Sequence, residues 1–148
     1  TVANFPGVTV EHRVGKAHLP GHHDIELVDL PGIYSFNARS EDERVAHAVL
    51  QGKMEGLKRP DGVILVLDST SLSRHLSLAA PVLALHLPTL VVLNLADDLK
   101  KRGGSVDTAA LADELGVPVV FMARPGAGGI TPGRLATLLR RLIRQCCP

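Results

Sequence analysis

Two unbroken apolar runs, Gly62-Val-Ile-Leu-Val-Leu67 and Thr89-Leu-Val-Val-Leu93, constrain this chain more than any other feature. A strand with one wet face alternates apolar and polar residues. A run that is apolar at every position needs cover on both faces, which is the mark of an inner strand in a largely parallel sheet. Both runs are far too short to cross a bilayer. Each ends in polar residues, and segments with helical spacing follow. Leu72 to His86 carries one, with Pro81 expected to kink it or to sit in its first turn. A shorter helix opens at Asp107 or Thr108 and stops at Gly116. The last opens at Thr131-Pro132 and sets Leu135, Leu138, Leu139 and Leu142 on one stripe against Arg140, Arg141 and Arg144.

The rest of the chain fits the same plan. Val117 to Phe121 reads as a further strand. Val8 to Leu19 reads as one strand, turned at Pro20-Gly21 and paired with a returning strand at Asp24 to Asp29, the single antiparallel element. Ser40 with Glu43 has the form of a capping box for a helix reaching about Gly52. Strands alternating with helices make the fold class α/β: a three-layer, mostly parallel sheet with one antiparallel strand pair, formed by residues 1–148 as one domain. Aromatic residues are only 3% of the 148, so Val, Leu and Ala must fill the core.

In such sheets, chemistry gathers where strands end in loops. Val28-Asp29-Leu30-Pro31-Gly32 follows a strand. A carboxylate there can hold magnesium through water, and a glycine just beyond lets a backbone N–H approach a terminal phosphate. The same residues also suit a plain tight turn. Asn94-Leu95-Ala96-Asp97 follows a buried strand, where a carboxylate can accept two hydrogen bonds from the N1–H and amino group of guanine; adenine offers no such pair. Alone, that spacing is also a common strand-to-helix connection. Gly7-Val8-Thr9, ahead of the first strand, puts a hydroxyl on a loop where it can reach magnesium when a γ-phosphate is present. Met122-Ala123-Arg124 follows the last strand, and the Ala123 N–H can meet the guanine O6.

Asn4-Phe-Pro-Gly-Val-Thr-Val-Glu11, Val28-Asp-Leu-Pro-Gly-Ile-Tyr-Ser35, Ser40-Glu-Asp-Glu-Arg44 and Leu93-Asn-Leu-Ala-Asp97 together resemble the cytosolic G domain of FeoB-type ferrous-iron transporters, which are P-loop GTPases. The resemblance runs over essentially the whole chain. It implies GTP or GDP with Mg2+ as cofactors, with Thr9 and Asp29 as magnesium residues and Gly32 as the γ-phosphate sensor. Asn94 and Asp97 would read guanine, with Ala123 supporting through its backbone. Ile33 stands where some GTPases place a water-orienting glutamine, which implies slow hydrolysis. Met122 departs from the family's usual serine. The implied setting is the cytoplasmic side of a bacterial inner membrane, the fragment itself being soluble. Its partners there are the helical and transmembrane regions of the same transporter, with an oligomer possible.

No Gly-x-x-x-x-Gly-Lys-Ser/Thr occurs in the chain. The expectation is therefore a piece of a longer protein, lacking the phosphate loop, the first and central strand, and the helical and transmembrane parts. As given, the chain should be inactive as an enzyme. Two other readings stand beside this one: a degenerate, nucleotide-free interaction module, which the missing loop favours, and a soluble ribosome- or tRNA-linked GTPase. A net charge of +1 gives no reason to expect nucleic acid. Adjacent Cys146 and Cys147 read as a bland, reduced tail of a cytosolic chain. His12, His18, His22 and His23 read as solvated residues rather than an iron site, and His47, His75 and His86 as helix-surface residues.

Overall fold

The computed structural model describes residues 2–5, 8–11, 13–19, 24–33, 41–122 and 131–144. The chain divides into two compact units, Thr1–Pro60 and Asp61–Pro148.

The first unit holds two antiparallel ribbons and a helix. β1 (Val2–Phe5) pairs with β2 (Val8–Glu11), and β3 (Arg13–Ala17) pairs with β4 (Ile25–Asp29). The β3–β4 ribbon is the expected antiparallel pair, and the β1–β2 ribbon stands in addition to it. The stretch from Val8 to Leu19 is thus two strands rather than one, and Thr9 lies inside β2, opposite Asn4, rather than on a loop ahead of the first strand. The reason is compositional: Val2, Val8, Thr9 and Val10 are β-branched and favour extended backbone wherever a partner strand is at hand. α1 (Glu41–Leu50) sets Val45 and Val49 against Met54, with Leu30 and Leu57 packed around them. Ser40, the expected cap of this helix, lies outside the described residues.

The second unit is the parallel sheet. β5 (Val63–Asp68), β6 (Thr89–Asn94) and β7 (Val119–Phe121) run parallel in that order. Strand geometry sends alternate side chains to opposite faces, and both faces of β6 and β7 are covered. Leu67, Val91, Leu93 and Val119 meet Leu72, Leu76 and Ala79 of α2 (Leu72–Leu83) and Leu111, Ala112 and Leu115 of α4 (Thr108–Leu115). Leu90, Val92 and Val120 meet Leu135, Leu138, Leu139 and Leu142 of α5 (Pro132–Arg144), the stripe that the spacing predicts. Leu90, Val91, Val92 and Leu93 are all but sealed from solvent, and each such side chain contributes about 1.5–3 kcal/mol of burial. A Cβ at Gly62 would stand 3.0 Å from the Leu142 side chain, so glycine lets α5 close over the start of β5.

Local rules set the ends. Asp107 caps α4 by accepting from the N–H groups of Ala109 and Ala110, and Gly116 ends it in the left-handed region at φ 68°. Pro81 lies inside α2 near its C-terminal end, not in the first turn, and only Val82 and Leu83 follow it in the helix. One helix goes unread in the sequence: α3 (Ala96–Lys101), immediately after β6. Against the expectation that the Gly62–Leu67 run is covered on both faces, β5 lies at the edge of the sheet among the described residues, and Ile64 and Val66 on its open face are 40% and 54% exposed.

No helix among the described residues is long and apolar enough to cross a membrane.

Candidate nucleotide site

Because β5, β6 and β7 are parallel, their carboxyl ends share one edge. Asp68 is the register partner of Asn94, and Leu93 is the partner of Phe121. The Met122 N–H donates to the Leu93 carbonyl at 2.8 Å, so the loop after β7 leaves beside the end of β6. The second and fourth sequence motifs therefore start from neighbouring strand ends. Ala123 lies outside the described residues.

Asn94 is the last residue of β6 and the first of that strand to be exposed. Its side-chain Oδ1 accepts the Leu95 N–H at 2.9 Å, which directs the amide nitrogen away from its own backbone. Its carbonyl accepts the Ser69 hydroxyl at 2.7 Å. Leu95 then takes φ 59° and ψ 30°, a left-handed backbone on a residue that is not glycine. That costs about 1–2 kcal/mol and persists only where neighbours hold it. The Leu95 carbonyl accepts from the N–H groups of Asp98 and Leu99, starting α3, and Asp97 sits in its first turn, half-buried. The tight turn thus carries the chain from the strand's last residue into the first turn of a helix, with Asn94 and Asp97 three residues apart around it.

The neighbouring end of β5 is equally fixed. The Asp68 carboxylate accepts the Thr70 N–H at 2.8 Å and the Thr70 hydroxyl at 2.6 Å, capping a 3-10 turn at Ser69–Ser71. The Thr70 hydroxyl, above all, holds the Asp68 carboxyl below its ordinary range, against the opposing effect of burial. The Asp68 N–H donates to His75 Nδ1 at 3.2 Å, from the first turn of α2. Sequence reasoning missed Asp68 and Ser69. The signal was there in part, since Asp-Ser-Thr-Ser directly after an apolar strand is a strong side-chain-to-backbone turn former.

In the first unit, Asp29 ends β4 and is exposed, and Gly32 follows it in an exposed loop. Leu30, between them, packs on the core of α1. Thr9 is on β2. Among the described residues, no group of three or more His, Cys, Asp or Glu side chains could hold a metal ion on its own. His18 Nδ1 lies 2.8 Å from Asp24 Oδ1, both exposed; His12, His22 and His23 lie outside the described residues.

Comparison with known proteins gives these features a family. The family model for ferrous iron transport protein B matches residues 1–131. The Fe(2+) transporter FeoB of Synechocystis is 39% identical over 128 residues, which are 86% of this chain and 20% of that protein. The cytosolic domain of the T. maritima FeoB iron transporter in its GMPPNP form superposes with a TM-score of 0.74 at 34% identity, over 100% of this chain and 54% of that one. The FeoB G-domain from Methanococcus jannaschii gives 0.72 at 29% identity, over 92% of this chain and 80% of that one. The chain spans about one fifth of the curated relatives it matches and about half of the T. maritima domain. On this match, the chain belongs to the FeoB family of ferrous-iron transport proteins and carries the P-loop GTPase fold of its G domain.

Proposed function

We propose that, within the full-length protein, this chain forms the base-reading and switch part of a domain that binds guanine nucleotide with magnesium and hydrolyses GTP slowly to regulate a ferrous-iron transporter. It works on the cytoplasmic side of a bacterial inner membrane, with the helical and transmembrane regions of the same transporter as partners. The observation that carries the reading is the Asn94–Asp97 turn, fixed at the carboxyl edge of a parallel sheet, where such folds bind their ligands. The GMPPNP form of the T. maritima domain supports it.

In this reading, Asp97 accepts from the N1–H and amino group of guanine. Asn94 ties the loops of the site together, and the backbone of Ala123 meets O6. Asp29 and Thr9 serve magnesium. Their donors are a carboxylate and a hydroxyl, the hard oxygens that this ion prefers, and Asp29 is exposed at its strand end. The ion would offset charge on the β- and γ-phosphates. The Gly32 N–H senses the γ-phosphate, with no Cβ to bar its approach. Ile33 brings no water-orienting amide, which makes hydrolysis slow.

Equilibrium titration of the full-length protein with fluorescent GDP and ADP tests this. GDP should bind at least about a thousandfold more tightly, because a site built around a paired hydrogen bond rejects the partner that lacks it. Equal affinities would overturn the proposal.

A further inference from the structure

β5 and β6 end side by side, at the register partners Asp68 and Asn94, and one side chain links the turns that follow them. Ser69 is 3% exposed, and its hydroxyl donates to the Asn94 carbonyl at 2.7 Å across 25 residues of sequence. The N–H on the far side of the same peptide unit, that of Leu95, is held at 2.9 Å by the Asn94 side chain. Both polar ends of the Asn94–Leu95 peptide are therefore clamped. The plane of that peptide sets ψ of Asn94 and φ of Leu95. The left-handed Leu95 in turn sets where α3 starts, and Asp97 lies in the first turn of that helix. The clamp has its own foundation: the turn that carries Ser69 is pinned by Asp68 to Thr70 and by the Asp68 N–H to His75.

We propose that Ser69 is a positioning residue for base recognition, holding the Asn94–Leu95 peptide so that Asp97 faces the N1–H and 2-amino group of a guanine together. This rests on the nucleotide reading above. Ser69 touches no base itself. It acts by denying the strained turn its relaxed alternatives, in which the carboxylate would meet one donor and not both.

Inosine diphosphate, which lacks the 2-amino group, separates alignment from general stability. In the full-length protein, Ser69→Ala should weaken GDP about tenfold, the scale of one lost hydrogen bond, and inosine diphosphate by clearly less, so the GDP-to-IDP ratio falls. In an Asp97→Asn background the same substitution should leave the ratio unchanged, since the aligned group is gone. Ser69→Thr keeps the hydroxyl and should restore the ratio. Equal losses for GDP and IDP, or a ratio that Ser69→Ala does not move, would overturn the role of Ser69 while leaving base reading by Asp97 intact. A wild-type protein that does not prefer GDP over ADP would instead overturn the nucleotide reading itself.

Discussion

The two units of this chain are built on opposite terms. In the parallel sheet of Asp61–Pro148, both faces of the central strand β6 are covered, β6 is buried until its last residue, and the turn after it is fixed by side-chain hydrogen bonds. In Thr1–Pro60, the β3–β4 ribbon has residues such as Leu27 open to solvent, and Leu30, just past its end, packs on the small core of α1. The base-reading candidates Asn94 and Asp97 belong to the first kind of structure, and the phosphate- and magnesium-side candidates Asp29 and Gly32 to the second, with Thr9 on the separate β1–β2 ribbon. Recognition of a base that does not change during a cycle gains from a fixed frame. Response to a γ-phosphate that comes and goes gains from elements whose stability is low enough to shift.

The sharpest way to break this comparison is through the cores. Leu93→Ala, in the sealed sheet, should cost about 2–5 kcal/mol of unfolding free energy. Leu27→Ala, on the open ribbon, should stay within about 0.5 kcal/mol. Denaturant titrations of both variants check it, and similar losses would erase the contrast. Next in size is the switch. Thr9→Ala should leave GDP affinity unchanged and weaken a magnesium-dependent GTP analogue about tenfold, as only the γ-phosphate state would recruit the hydroxyl. Equal weakening of both nucleotides would make Thr9 a plain strand residue of β2.

The smallest expected effect sharpens the fixed side. The charged Asp68 carboxylate is favoured in the fold by the Thr70 hydroxyl, so its folded pKa lies below its unfolded one. Its contribution to stability is therefore complete above the ordinary carboxylate pKa and is lost as pH falls through the lower, folded value. Thr70→Val removes the hydroxyl donor and should move the Asp68 titration, followed by carboxyl carbon chemical shift, back upward. A wild-type Asp68 that titrates in the ordinary range would contradict the cap.

Much of this was legible in the sequence, and the reason lies in range. Gly62–Leu67, Thr89–Leu93, the α5 stripe, the Asp107 cap and the Gly116 stop are all set by periodicity or by a residue's own backbone preference, so neighbours in sequence announce them. The features that escaped depend on partners far along the chain. Thr9 is drawn into β2 by pairing with β1. α3 begins at a left-handed leucine, a conformation that leucine does not signal, and one that holds here because Ser69 and Asn94 clamp the peptide before it. Ser69 finds Asn94 only through the parallel register of β5 and β6. The strand-to-helix turn that carries Asn94 and Asp97 was readable from its place after a buried strand, while the hydrogen bonds that fix Asn94 were not.

The central claim is that Asp97, set by this fixed frame, chooses the base, and Asp97→Asn tests it most directly. The new amide can donate to the C2 carbonyl of xanthine, while it no longer offers guanine a carboxylate for its two donors. In the full-length protein, Asp97→Asn should lose about a hundredfold or more in GDP affinity and bind xanthosine diphosphate more tightly than GDP, reversing the wild-type order. If the variant keeps GDP over xanthosine diphosphate, Asp97 does not read the base and the account fails.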